Sequence, residues 1–172
     1  MLKSFKPIVD RRSRVLILGT MPGPIALAKQ EYYGFPGNHF WPIMARLFGG
    51  REPMTYPQKL RLLKKNRVAL WDTIRSCERV GAGDSQIRCA VPNDIAKLIR
   101  RHPGIRVVFL NGRLAEKLYR KHAAARIDRP TVTLPSTSPA HAAMSFERKL
   151  KAWRAVKEGS HRACPKGARR VQ

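Results

Sequence analysis

The sequence predicts an α/β fold, a three-layer sandwich in which helices flank a short, mainly parallel sheet of four strands. Three observations predict it. Short, continuous apolar runs recur along the chain, as strands buried on both faces require. Stretches of helical periodicity separate these runs, the alternation expected of a parallel sheet with crossover helices. Gly19, Asn111-Gly112 and Pro135 close three of the runs, each with a residue suited to a turn.

The elements follow in order. Val15, Leu16, Ile17 and Leu18 form the first strand, and a loop rich in Pro and Gly extends from Gly19 to Gly37. Phe40, Ile43, Met44, Leu47 and Phe48 then recur at helical spacing, and Gly49-Gly50 ends that helix. Thr55 and Gln58 make a capping box for a helix carrying Tyr56, Leu60 and Leu63. Residues 68–71 read as the second strand, and Asn93 is expected to cap a helix with Ile95, Leu98 and Ile99 on one face. A third strand spans 106–110. Leu114, Ala115, Leu118 and Tyr119 mark the next helix, and 131–134 form the fourth strand. The last helix begins near Ser145 and buries Phe146, Leu150 and Trp153. Residues 1–157 therefore read as a single domain, and 158–172 as a basic, flexible tail without apolar periodicity.

The 172 residues give room for one proper core, and a hydrophobic fraction of 43% suits it. No apolar run approaches the roughly 18 residues of a membrane span, and the run at 15–18 is too short for a signal-peptide core. The chain is thus expected to be intracellular (cytoplasmic, at the nucleoid when bound to DNA) and a monomer. Thirty-five Lys and Arg against 11 Asp and Glu leave a net charge of +24. That excess favours a polyanionic partner, because each phosphate neutralised releases counterions. A basic, well-solvated surface is the plainer alternative. Cys77, Cys89 and Cys164 stand too far apart for the closely spaced ligands of a zinc or iron–sulfur site, so no metal and no cofactor is expected.

In open parallel sheets, ligands bind beyond the carboxyl ends of the strands. Three segments fall there: 19–23, 111–112 and 135–141. The first lies within LILGTMPGPIALAKQEYYGFPGNHFWPIMARLFG and the last within LPSTSPAHAAMSFERKLKAWR. In this order and spacing they resemble the uracil-DNA glycosylase superfamily, over residues 14 to about 154. The first segment looks like the opening of the mismatch-specific uracil enzymes and, more closely, of the hypoxanthine-DNA glycosylase branch: a strand running into Gly-Thr-x-Pro-Gly, a paired aromatic, then Pro-x-Asn-x-Phe-Trp. The resemblance implies a monofunctional DNA-repair glycosylase. Such an enzyme extrudes a deaminated base and hydrolyses its glycosidic bond.

One departure bears on the substrate. Where many members of the superfamily carry an Asp or Asn to position the attacking water, this chain has Met21. The hypoxanthine branch shares that loss, so the resemblance shifts catalysis to Asn38 and the expected base to hypoxanthine, with uracil in mismatches as the alternative and xanthine as a further possibility. A non-catalytic nucleic-acid-binding protein on the same fold is the reading from another class.

The resemblance also assigns roles. Tyr33 would stack on the flipped base, with Tyr32 as its rival for that place and loop anchoring as the plain alternative. Asn38 would hold water beneath the sugar, though it also stands where an N-cap belongs. Asn111 would read the base edge, against an ordinary Asn-Gly turn. Gly19 and Gly23 would let the backbone approach the nucleotide. Ser136, Thr137, Ser138 and Pro139 would bind the DNA backbone, and His141 would approach the base or a phosphate. Asp72 and Ser76 are assigned to loop capping, and Met21 and Trp41 to packing.

Overall fold

A computed structural model of the chain describes residues 1–81, 83 and 86–161. Strands β1 (Leu2–Lys3), β2 (Val15–Gly19), β3 (Val68–Asp72), β4 (Ile74–Glu78), β5 (Arg88–Pro92), β6 (Val107–Asn111) and β7 (Thr131–Leu134) alternate with six helices. The helices are α1 (Pro24–Lys29), α2 (Phe40–Phe48), α3 (Tyr56–Lys65), α4 (Ile95–Arg101), α5 (Arg113–His122) and α6 (Phe146–His161).

The four expected strands form one parallel sheet in the order β3-β2-β6-β7. Every residue of β2 is buried, as the unbroken apolar run requires of a central strand. Successive side chains alternate between faces. Val15 and Ile17 join Phe109, Phe40, Leu63 and Trp153 in a core under α2, α3 and α6, whereas Leu16 and Leu18 join Val108, Ile95 and Tyr119 under α4 and α5. The three layers follow from this alternation.

Several local signals hold. Thr55 Oγ1 accepts from Gln58 N while Gln58 Oε1 accepts from Thr55 N, closing the capping box. Gly49 ends α2 at φ 73°, a conformation that glycine tolerates without a Cβ penalty.

Four readings are corrected. Asp94, not Asn93, caps α4, accepting from Lys97 N at 3.1 Å. Asn93 faces inward and its Nδ2 donates to the carbonyls of Asp72 (2.9 Å) and Ile74 (3.1 Å), bracing the turn between β3 and β4. The loop after β2 contains α1, started by Pro24 at its first position and stopped by Gln30 in the left-handed region. A second, antiparallel sheet, β1-β4-β5, stands beside the first. Its strands IRSCE and RCAVP mix charged and apolar residues, so no apolar run announces them.

The last correction concerns α6. It runs to His161, beyond the expected boundary at Lys157, because Gly159 lies against Val15, Val107 and Phe109 and Ser160 is fully buried. Small residues extend the packed face without adding apolar periodicity. The remainder of the expected tail, 162–172, lies outside the described residues. Among those described, no helix is long and apolar enough to cross a membrane.

The contrast between Asn93 and Asp94 is measurable. Asn93→Ala leaves two buried carbonyls without their donor and should cost about 1–3 kcal/mol. Asp94→Ala removes an exposed cap and should cost about 1 kcal/mol or less. Urea denaturation of both variants checks the order, and equal costs would refute the inward bracing role of Asn93.

Candidate active site

The carboxyl ends of β2, β3, β6 and β7 open onto a cleft of about 940 Å³. Gly19, Gly23, Tyr33, Asn38, Asn111, Ser136, Thr137, Ser138, Pro139 and His141 all line it. Residues more than a hundred positions apart in the chain thus meet at one edge of the sheet, as parallel topology dictates.

Asn111 is the junction. Its Nδ2 donates to Tyr33 Oη and Thr137 Oγ1, both at 2.9 Å, and its Oδ1 accepts from Thr137 N at 3.0 Å. The carboxamide therefore clasps the first and last loops to the end of β6, which is more than an Asn-Gly turn requires. Gly112 follows at φ 94°, and a Cβ there would fall 3.0 Å from Ser136 Cβ. Only glycine lets the loop sit this close in that conformation.

Tyr33 stacks on Phe40, with ring centroids 4.0 Å apart and planes inclined by 19°. Its rival Tyr32 is the anchor of the pair. Tyr32 is buried, donates through its hydroxyl to Lys6 O at 3.2 Å, and accepts at its carbonyl from Trp41 Nε1 at 2.7 Å. Burial, and after it the negative charge of Asp72, push the Tyr32 hydroxyl well above its usual range, so it stays neutral.

Asn38 stands one residue before His39, the N-cap of α2. Its Oδ1 accepts from Phe40 N at 2.9 Å, satisfying the first N–H of that helix, and the same half-buried side chain lines the cleft. A carboxamide oxygen has a second lone pair, so capping leaves an acceptor for water.

Within the last loop, Ser136 Oγ accepts from Ser138 N at 3.2 Å, and Ser138 Oγ accepts from Ala140 N at 3.2 Å. Ser136, Ser138 and His141 are half-buried and Pro139 is exposed at the rim. Thr137 departs from the phosphate-binding role expected of it. It is fully buried, its hydroxyl and N–H face Asn111, and its carbonyl accepts from His39 N at 3.0 Å, joining the loop to α2.

Beneath this loop, Trp153 Nε1 donates to Pro135 O at 2.9 Å, and the Lys149 ammonium reaches Ser138 O at 3.4 Å. Lys149 is buried, and desolvation lowers its pKa below the ordinary lysine range. Met21 packs with Ile74 and Cys77 and offers the cleft only an apolar surface.

Asp72 was assigned from the sequence to loop capping. It pairs with Gly19 across β2 and β3, is 3% exposed, and lines the cleft. Ser4 Oγ donates to its Oδ2 at 2.7 Å. A Cβ on Gly19 would stand 2.5 Å from Asp72 Oδ1 and 2.9 Å from Tyr33 Oη, so glycine there makes room for both groups. The rule that singled out Gly19 and Asn111, the last residue of an apolar strand, applies equally to Asp72 in VALWD. The wall formed by Gly81 and Gly83 was also not foreseen. Arg79 Nη2 ties that hairpin to the first loop by donating to Pro22 O at 2.6 Å. Among the described residues no group of three or more His, Cys, Asp or Glu is arranged to hold a metal ion.

A cleft at the carboxyl edge of a four-stranded parallel sheet, lined by carboxamide and aromatic side chains, defines an α/β protein with its ligand site at the strand ends. Sequence comparison makes the class specific. A sequence model of the Uracil DNA glycosylase superfamily matches residues 6–157. A Methanosarcina acetivorans protein named Hypoxanthine DNA glycosylase is 36% identical over 158 residues, covering 90% of this chain and 96% of the relative. A Methanosarcina barkeri protein of the same name is 33% identical over 112 residues, 64% of this chain and 71% of that one. A solution NMR structure from Methanosarcina acetivorans, provisionally described as a uracil DNA glycosylase, superimposes with a TM-score of 0.77. It is 35% identical and covers 93% of this chain and 98% of its own. The chain belongs to the uracil DNA glycosylase superfamily.

Two predictions arise from these contacts. Gly19→Ala must displace Asp72 or Tyr33 and should cost about 1–3 kcal/mol by overpacking. Gly23→Ala, whose Cβ would meet nothing within 4 Å, should stay within about 0.5 kcal/mol of the native chain. Chemical denaturation separates the two, and a neutral Gly19→Ala would contradict the close approach.

Lys149→Met removes a buried charge and should raise the thermal midpoint at neutral pH, by about 2–4 °C for each kcal/mol gained. The sign follows from proton linkage. Below its depressed pKa, Lys149 is charged in both states, so the folded chain carries the whole desolvation cost. As pH rises through the window between the folded and unfolded values, the unfolded chain binds more protons and the native chain gains stability. The advantage of Lys149→Met should therefore shrink toward about pH 10–11. Melting curves across that range test it, and an advantage that grows with pH would contradict it.

Proposed function

We propose that this protein is a monofunctional DNA-repair glycosylase that removes a deaminated base, hypoxanthine first, from DNA. The observation that supports this best is convergence. Ten residues chosen from three separated sequence segments line a single cleft at the ligand-binding edge of the sheet. The names of the two Methanosarcina relatives point to the same base.

The target nucleotide must leave the stack to be reached. Its base enters the cleft and lies on Tyr33, whose other ring face rests on Phe40. Stacking of this kind contributes about 1–3 kcal/mol per base. Asn111 keeps Tyr33 in place, and it reads the base directly by exchanging the Tyr33 hydroxyl for an acceptor on the base. Ser136 and Ser138 receive the DNA backbone at the rim through short hydroxyls, with Pro139 and His141 beside them.

The C1′–N9 bond then breaks with its electron pair leaving on the base, which takes up a proton as it departs. Water held by Asn38 Oδ1 attacks the cationic sugar at C1′ and loses a proton to solvent. The product is an abasic site in an intact strand. Positioning and electrostatics suffice for this chemistry, so no strong nucleophile is needed. Met21 offers no hydrogen bond to water, which favours hypoxanthine over uracil as the substrate.

Duplex oligonucleotides carrying one deoxyinosine, deoxyuridine or deoxyxanthosine, incubated with the protein and then treated with alkali, test the reading. Strand cleavage at deoxyinosine is expected. Cleavage confined to deoxyuridine would replace the substrate, and binding without any alkali-labile site would sink the enzymatic reading.

Asn38→Ala should reduce the single-turnover rate on deoxyinosine by about a hundredfold or more, with duplex affinity largely kept. Because the residue also satisfies the first N–H of α2, the same change should cost about 1 kcal/mol of stability. Asn38→Ser, which can still cap, should recover the stability and not the rate. Recovery of the rate by serine would assign Asn38 to the helix alone.

A further inference from the structure

We propose that the Lys149 ammonium is the buried counter-charge for a DNA phosphate received on the loop 135–141, acting through that loop without touching the strand. This rests on the glycosylase reading above and assigns the charge that the rim lacks. The chain carries 35 Lys and Arg, yet none lies from residue 130 to residue 147, the stretch that contains this loop. The loop's own polar groups are largely committed. Ser136 Oγ accepts from Ser138 N, Ser138 Oγ accepts from Ala140 N, and Thr137 N donates to Asn111 Oδ1. Residue 139 is proline and has no N–H to offer an anion. His141 is the loop's one ionisable side chain. Short hydroxyls can orient a phosphate, but no permanent charge on the loop balances it.

Lys149 supplies that charge from below. It lies on α6 one turn before Trp153 and is 1% exposed. Its Nζ stands 3.4 Å from Ser138 O, the carbonyl that also accepts from His141 N at 3.0 Å and so closes the turn at the loop tip. Among the described residues no carboxylate pairs with it. An ammonium has three donors, and one long contact to a carbonyl leaves a buried charge uncompensated. Its desolvation, which lowers the pKa, has the same origin. Anchoring the loop does not call for a charge, because Trp153 Nε1 holds Pro135 O at 2.9 Å with a neutral donor. A phosphodiester seated on Ser136 and Ser138 brings the missing negative charge to the far side of the loop. Attraction to a buried partner is screened less than attraction between exposed charges. The cost that Lys149 imposes on the free chain is thus offset on binding. Lys149 acts as a positioning residue: it favours one phosphate at the loop, and with it the placing of the target sugar beside Asn38.

The test uses the full chain and a duplex with one tetrahydrofuran abasic site, which has no glycosidic bond to cleave. Each phosphate around the site is replaced in turn by a neutral methylphosphonate, and Kd is measured for each duplex. In the native protein one linkage beside the site should stand out, weakening binding about tenfold when neutralised. Lys149→Met should bind the unmodified duplex about tenfold more weakly, and neutralising that same linkage should then cost less than about twofold. An equal penalty in both proteins overturns the proposal. A lysine that only shaped the loop would weaken binding to every duplex alike and leave the contribution of that linkage intact. The native scan decides by itself if Lys149→Met fails to fold: where no linkage beside the site costs more than about twofold, no phosphate faces Lys149 and the proposal falls. Native protein that releases hypoxanthine from a deoxyinosine duplex yet fails either arm refutes the role of Lys149 alone. Native protein that releases no deaminated base refutes the glycosylase reading with it.

Discussion

The site hangs on the hydrogen bonds of one side chain. Asn111 ends the central strand β6, and its carboxamide engages Tyr33 from the first loop and Thr137 from the last. A buried amide left half-satisfied costs about 1–3 kcal/mol, so the two loops and the strand end stabilise one another. The loops close because the amide needs partners, and the amide is buried because the loops close. Tyr33 shows what this closure sustains: its backbone sits at φ 54°, a region costly for an aromatic residue unless its surroundings fix it. Asn111 at the hydroxyl and Phe40 under the ring do the fixing.

The sheet determines where such a clasp can exist. With β2 wholly buried and its residues alternating between two cores, neither face of the sheet has room for a ligand. Only the carboxyl edge remains, where the strands stop and the loops diverge. The small antiparallel sheet then acts as a brace behind that edge. Ser4 N donates to Arg75 O at 2.8 Å, which sets the Ser4 hydroxyl against Asp72, and Asn93 fixes the carbonyls on either side of the turn.

What was legible in the sequence is what depends on periodicity or on turn chemistry. The run at 15–18 and the capping box at Thr55 are local, and each folds as its pattern requires. The convergence of Gly19, Asn111 and the loop 135–141 could also be foreseen, because the edge rule turns chain order into proximity, whereas Asn38 was reached only through the family resemblance. What escaped depends on a partner distant in sequence. Whether Asn93 or Asp94 capped α4 could not be decided without the two inward carbonyls that Asn93 serves. The end of α6 was hidden because Gly159 and Ser160 pack by being small. Thr137 looked like a surface hydroxyl in a run of Ser and Pro, and only its fit against Asn111 shows it to be a clasp. Asp72 escaped because an acid after an apolar strand reads as a turn until Gly19 is seen to leave room for it.

Charge gives these placements a common sense. The chain carries 35 Lys and Arg against 11 acids, so the position of each acid matters more than its number. Asp10, Glu116 and Asp94 lie within reach of Arg12, Arg120 and Arg126 at the surface, where such pairs contribute little. Asp72 instead lines the cleft, 3% exposed, with its Oδ2 accepting from Ser4 Oγ at 2.7 Å. The surface acids thus lie beside neighbouring arginines, whereas the buried one braces the end of β3, where Gly19 leaves it room.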